Sequence, residues 1–220
     1  MPLTDLETLR DRVEALLTDS SNAEWSTAEL DQAIRLALYE LSTVLPVRAV
    51  ATIDAVDDTW EYSLSAITGL VGVVEVWYPY LSTDDSYKQP HPVKFRMLTD
   101  SVLFLDIDDY PDDGYDLRIF YDKVQTLVNL DSATATSLDE AEKAALVLGA
   151  AGYAAVGKSR DVTNEVTIGA DVPTRLEKWG KARLVEFQER IVALAAVANA
   201  GEDSRIGWWE VDKWDETGQE

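Results

Sequence analysis

The hydrophobic period of this chain switches twice, and that switch constrains its fold more than any other feature. As far as Leu45 the apolar residues recur every three to four positions. Leu6, Leu9, Val13 and Leu16 make one stripe; Leu30, Ile34, Ala37, Leu38, Leu41 and Leu45 make another. Each is the pattern of an amphipathic helix buried on one side. Thr4 with Glu7, and Ser26 with Glu29, have the spacing of a capping box, in which side chains satisfy the free N–H groups of a helix start. The polar run at residues 19–22 closes the first helix, and Pro46 stops the second. Residues 1–46 therefore read as a helical hairpin.

After Pro46 the period falls to two. VRAVATIDAV, TWEYSLS, LVGVVEVWYPY, SVLFLDI and GYDLRIFYDKV are rich in β-branched and aromatic residues, with turn-forming DD, TG, STDDS and PDDG between them. This predicts an antiparallel β insertion over residues 47–130. The helical period then returns. Ser137 and Glu140 have capping spacing, and LDEAEKAALVLGAAGYAAV is apolar almost all round, as in a buried helix. A last helix is expected from Val172 to Ala200, with a stripe of Leu176, Leu184, Phe187, Ile191, Leu194 and Ala198, and with Gly201 ending it. Glu177 with Lys181 and Glu186 with Arg190 sit at i,i+4 in the favourable order. Residues 131–200 are expected to pack as a helical pair on 1–46, leaving 201–220 as an extended, partner-docking tail. The fold class expected is α+β: a four-helix bundle with an antiparallel β insertion between the second and third helices and an extended C-terminal tail. Helices and strands do not alternate, which argues against a doubly wound sheet.

Charge and composition narrow the chemistry. The chain has 41 acids and 19 Lys and Arg among 220 residues, a net charge of −22. Such a surface repels phosphate backbones and anionic membranes. Without cysteine there is no disulfide, thiolate ligand or thiol nucleophile. With His91 as the single histidine, a His-cluster metal site or a Ser-His-Asp triad has almost nothing to draw on. No stretch approaches the roughly 20 apolar residues of a membrane span, and the first residues, MPLTDLETLRDR, lack the apolar core of a signal peptide. No catalytic residue, cofactor or metal is expected.

Three motifs need weighing. GYAAVGKS, residues 152–159, has the G-x-x-x-x-G-K-S spacing of a phosphate-binding loop, and the apolar run ending in Asp106 resembles a magnesium-holding strand. A phosphate loop requires a strand before it and a helix beginning at its Lys-Ser. Here a helix is already under way before Gly152, so Gly157, Lys158 and Ser159 fall at its C-terminal end, the wrong end of the dipole for phosphate. Gly149 and Gly152 read as close-approach positions between helices, with Gly157 as a C-cap. A P-loop hydrolase is the lesser alternative. Asp106, Asp108, Asp109, Asp112, Asp113 and Asp116 make an oxygen-rich turn, but without the glycine and closing Glu of an EF-hand, so a solvated acidic turn is expected. The third motif is the most informative. Ile206, Trp208, Trp209, Val211 and Trp214 lie in an acidic C-terminal segment. Acidic tails without a core usually lack aromatics, whereas Trp is enriched at interface hot spots. The segment is therefore expected to fold onto a partner, with folding back onto its own helices as the alternative.

The WSTAELDQAIRLALYEL helix, the β insertion and the long last helix with its trailing tail resemble the adaptor, or head-to-tail connector, proteins of tailed bacteriophages. The resemblance rests on element order, stripes and caps along the whole chain. It implies a non-enzymatic structural virion protein of the neck, assembled in the host cytoplasm. It further implies a ring, twelve copies in register with the portal, that joins the portal of the head to the tail or next neck protein and continues the DNA channel. Another neck or tail component, a stopper or tail terminator, is the alternative within this class. By position, Ile206, Trp208, Trp209, Val211 and Trp214 match the portal-docking segment.

Overall fold

The computed structural model describes residues 5–19, 23–81, 90–108, 110–162 and 171–206. The chain divides into two compact units, residues 1–45 with 125–220, and residues 46–124.

The first unit is helical: α1 (Asp5–Leu17), α2 (Thr27–Val44), α3 (Glu140–Val162) and α4 (Val172–Ile206). Thr4 lies outside the described residues, and with it the first expected capping pair. The second pair forms as expected. The Glu29 backbone N–H donates to the Ser26 hydroxyl at 3.3 Å, and Glu29 accepts the Ser26 N–H at 2.7 Å. Just before it, the Asp19 carboxylate accepts the N–H groups of Ala23, Glu24 and Trp25. Those donors, Trp25 first, hold Asp19 below the usual carboxylate range. α3 starts two residues later than the Ser137–Glu140 spacing suggests. Its cap is Asp139, whose carboxylate accepts the Glu142 N–H at 2.7 Å while Glu142 accepts the Asp139 N–H at 2.8 Å. The Ser137 hydroxyl instead bonds Gln125 and the Thr126 N–H, tying the segment before α3 to itself.

α3 is the hub of this unit, with α1, α2 and α4 each packed on it and only light contact between α1 and α2 or α2 and α4. Its small residues explain why. Ala145, Leu146, Ala150, Ala151, Ala154 and Ala155 are buried. Gly149 and Gly152 let neighbours come against the backbone. A Cβ on Gly149 would lie 2.8 Å from the Phe187 ring and 3.0 Å from Ala37 Cβ; one on Gly152 would lie 2.8 Å from Leu184 Cγ and 3.0 Å from the Gly180 carbonyl. Leu6, Leu9, Val13, Leu30, Ile34, Leu41, Phe187 and Ile191 fill the same core, joined by Leu127, Leu130 and Leu138 from the non-helical segment before α3.

The second unit is all strand. β1 (Val47–Asp54), β7 (Asp116–Lys123), β3 (Leu70–Tyr80) and the short β4 (His91–Pro92) pair in that order as one antiparallel sheet. β2 (Glu61–Ser63), β6 (Val102–Leu105) and β5 (Phe95–Thr99) form a separate three-stranded sheet. Val76, Tyr78, Leu117 and Ile119 of the larger sheet and Tyr62, Leu103 and Leu105 of the smaller share one core.

The expected fold class is thus corrected. The chain is not a four-helix bundle with one β insertion. Among the described residues there are two helices at each end and, between them, seven strands in two antiparallel sheets. Alternating apolar residues announce a strand but not its partner, and pairing such as β1 with β7 is non-local. β5 carries no alternation signal at all, because four of its five residues are exposed. The helices also do not pack on one another equally: α1, α2 and α4 each pack chiefly on α3. A helix that is apolar all round becomes a centre on which the others pack. The last helix also does not end at Gly201: α4 runs through it to Ile206, since one glycine inside a helix costs only about 1 kcal/mol relative to alanine. Residues 207–220 lie outside the described residues.

Candidate functional site

The phosphate-loop reading has no geometry behind it. Gly152, Gly157, Lys158 and Ser159 lie inside α3. Gly157 is neither a C-cap nor a close approach: the helix continues to Val162, and a Cβ on Gly157 would meet nothing within 4 Å. Ser159 is buried, and its hydroxyl donates to the Val156 carbonyl at 2.8 Å. In this helix every backbone N–H near the motif is turned to the preceding turn, leaving none to cradle a phosphate. The strand proposed to hold magnesium, β6, sits between β2 and β5 in the small antiparallel sheet.

The acidic turn brings three carboxylates together. Oxygens of Asp57, Asp112 and Asp113 lie within 4.8 Å of one another, all exposed. Asp57 was not marked out by the sequence. The turn uses two of these groups itself: the Asp113 N–H donates to Asp57 at 2.8 Å and the Gly114 N–H to Asp112 at 2.8 Å. Asp116 faces Asp54 across the β1–β7 pair, and burial, followed by that neighbouring charge, pushes Asp116 above the usual carboxylate range.

What the molecule does offer is apolar surface on regular elements. α4 buries Phe187 and Ile191, and its opposite side carries apolar residues around the exposed Glu189. At 100° per residue, Ala182, Val185, Val192, Ala193 and Ala196 line up there. All are exposed, Val192 to 61%, and Val197 on the flank to 74%. On α2, Leu36 and Tyr39 point away from the buried Ile34, Ala37 and Leu41, and Tyr39 is 71% exposed. Single exposed apolar residues are ordinary, but aligned ones on a rigid element mark an interface. One tie fixes how these helices present themselves. Glu40 of α2 accepts the Tyr153 hydroxyl of α3 at 2.6 Å and the Gln188 amide of α4 at 2.9 Å. Burial, with the Glu40 carboxylate beside it, pushes Tyr153 up to about 12.

The sequence profile of the SU10 adaptor proteins matches residues 4–196, most of the chain. This protein belongs to the SU10 adaptor family. No curated protein sequence matches it. The adaptor is accordingly a phage structural protein and a virion component, from a family that is not enzymatic. Such adaptors interact with other phage head or tail proteins. No helix of the adaptor, among the described residues, is long and apolar enough to cross a membrane. The family match stops short of the expected portal-docking residues. Of these, Ile206 is the last helical residue of α4, and Trp208, Trp209, Val211 and Trp214 lie outside the described residues. The apolar outer faces of α2 and α4 were not marked out by sequence. Their signal was present in α4: valines and alanines continue on the side that the core stripe leaves free.

Proposed function

We propose that the adaptor assembles into a ring that joins the portal of the phage head to the tail or next neck protein and continues the DNA channel. The observation that carries this is the double-sided α4. One face closes the helical core, and the other carries the exposed Ala182, Val185, Val192, Ala193 and Ala196 around Glu189. A heterologous ring contact requires two unlike surfaces on one subunit, and the α2 patch of Leu36 and Tyr39 supplies a second. The net charge of −22 suits a lumen along which DNA slides without sticking. Twelve copies would match the portal's symmetry. The terminal segment with Ile206, Trp208, Trp209, Val211 and Trp214 is the portal-docking element: α4 delivers it from a rigid helix, and its tryptophans supply the buried anchors that hot spots use.

Attachment to portal-bearing heads that lack the adaptor tests both parts. Replacing Val185→Glu together with Val192→Glu should leave a folded monomer that no longer forms rings on heads. Deleting residues 207–220 should leave a folded protein that no longer attaches. Full attachment by the truncated chain would move the portal contact to the helices, and ring formation by the double variant would remove α4 from the interface.

A further inference from the structure

The edges of the two sheets are not alike. An edge strand presents a row of backbone N–H and C=O groups, and folded chains usually blunt it by shortness, bulges, proline or charge. Three of the four edges among the described residues are blunted. β4 is two residues long and holds Pro92, β2 is three residues long, and β5 breaks its register between Met97 and Thr99. β1 is different. It is eight residues long, has no proline, and pairs with β7 in one unbroken register from Val47–Lys123 to Asp54–Asp116. The hydrogen-bond phase shows at its end, where the Ala55 N–H donates to the Tyr115 carbonyl at 2.9 Å, one step past the Asp54–Asp116 pair. Alternate residues of a strand turn their backbone the same way. Ala49, Ala51 and Ile53 therefore bond β7, while Val50, Thr52 and Asp54 turn their N–H and C=O groups outward. Those outward groups meet no partner among the described residues. Exposure agrees: Arg48, Val50, Thr52 and Asp54 are all exposed, and no residue of β1 is buried.

We infer that this edge pairs with β1 of a second copy of the adaptor, in an antiparallel two-fold contact centred on Ala51. Charge complementarity selects both partner and register. With Ala51 opposite Ala51, Arg48 stands opposite Asp54 of the other copy at both ends, Val50 opposite Thr52, and Ala49 opposite Ile53. The residues with outward backbone groups then meet one another, so each outward N–H finds an outward carbonyl. Outer side chains lie beside outer ones, and the half-exposed Ala49, Ala51 and Ile53 cover their counterparts on the other side. Asp54 already faces Asp116 across the β1–β7 pair, and neither has an ion pair among the described residues. An arginine arriving from the second copy answers that pair of like charges. Arg48 is held in line for this by Asp122, its neighbour on β7, at 2.8 Å. A slip of two residues either way keeps the faces but sets Asp54 against Pro46 or Val50. The contact is isologous, each copy offering the same strand. A ring whose copies all point the same way contains no such two-fold, so the dimer is a state of the free adaptor and opens before a ring closes. Only that last consequence rests on the ring reading above.

The unmodified full-length adaptor should sediment at about twice its chain mass of 24.4 kDa. Thr52→Pro removes one outward N–H and spares the bonds to β7, and Asp54→Arg sets arginine against Arg48. Each should sediment as a monomer with unchanged circular dichroism. The chain has no cysteine, so a single introduced one reports the axis. Ala51 opposite its own copy is a non-hydrogen-bonded pair, with Cα atoms about 4.5 Å apart, within reach of a disulfide. Mildly oxidised Ala51→Cys should run mostly as a linked dimer on a non-reducing gel, and Ala49→Cys about tenfold less. A monomer or a closed ring in the unmodified protein overturns the inference. So does a dimer that Thr52→Pro or Asp54→Arg leaves intact, or one in which Ala51→Cys links no better than Ala49→Cys. The oxidised Ala51→Cys dimer should fail to attach to portal-bearing heads and regain attachment on reduction, and attachment while oxidised would overturn the opening step. If the unmodified adaptor does not attach to heads, the ring reading itself fails, a result distinct from these.

Discussion

Two phenylalanines show how differently the halves of this molecule use an aromatic ring. Phe187 on α4 is fully buried, lodged where Gly149 leaves the α3 backbone bare. Phe120 on β7 lies half-buried on an outer sheet face, with Trp77 beside it and Arg118 above. The helical unit spends its large side chains inward because α3, thin with alanine and glycine, accepts neighbours on several sides. The β unit packs one face of each sheet into a shared core. Among the described residues, the helical unit buries its large side chains where its helices meet, while the outer face of the larger sheet keeps its aromatic residues only partly buried.

Truncation sharpens that contrast most. Phe187→Ala should cost the isolated adaptor about 3–5 kcal/mol, the range for an aromatic removed from a core. Phe120→Ala should cost about 1–2 kcal/mol, because its ring is only partly buried, against Trp77 and Arg118. Denaturant unfolding followed by circular dichroism compares them, and equal losses would show that the β face is as closed as the helical core. Within the helical unit the two glycines of the GYAAVGKS stretch separate next. Gly152→Ala should lose about 1–3 kcal/mol through overpacking against Leu184 and the Gly180 carbonyl. Gly157→Ala should gain about 0.5–1 kcal/mol, because its site is open and alanine stiffens the unfolded chain. Matching thermal shifts in the two variants would contradict the helix packing described here.

The smallest effect is a pH dependence at the Glu40 tie. Tyr153 titrates near 12 in the folded adaptor, against an ordinary value of 10.0. Below pH 10 the phenol is neutral in both folded and unfolded chains, and its contribution is intact. Between pH 10 and about 12 the unfolded chain loses the proton first, so stability falls with rising pH. Tyr153→Phe should flatten this part of the stability curve while leaving it unchanged in shape near neutral pH. An unaltered alkaline slope would mean that Tyr153 is not held neutral by the fold.

Much of the fold was legible in particular residues. Ser26 and Glu29 announced the start of α2 and were found bonded as their spacing implies. Leu30, Ile34, Ala37, Leu38 and Leu41 announced its buried face. The helical context of Gly152 was legible too, since Ala and Leu continue across it. Other signals misled because they are degenerate. Ser137 and Asp139 both precede an acid by three residues, and only the actual backbone path selects Asp139. Glu186 stands four residues before Arg190 but pairs with Arg183 at 2.7 Å instead. For the sheet faces, β7 held a clue in DLRIFYDK: Leu117, Ile119 and Tyr121 fill one parity, and Phe120 is a large apolar residue on the other.

The sequence by itself determined which segments are helix and most of those that are strand, where the first and second helices are punctuated, and that α3 would be buried. It also determined the acidic charge and the absence of thiol chemistry. These are local properties, set by period, caps and side-chain type over a few residues. Only the tertiary structure decided that the strands divide into two sheets, that α3 is a hub rather than one of four equal helices, and that α4 keeps a second apolar face. It alone brought Trp77, Tyr80, Arg118 and Phe120 together. Those outcomes depend on pairings between residues as distant in sequence as Val50 and Phe120. A period of two or 3.6 fixes the side a residue faces, and the partner it meets there is chosen by the packing of the whole chain.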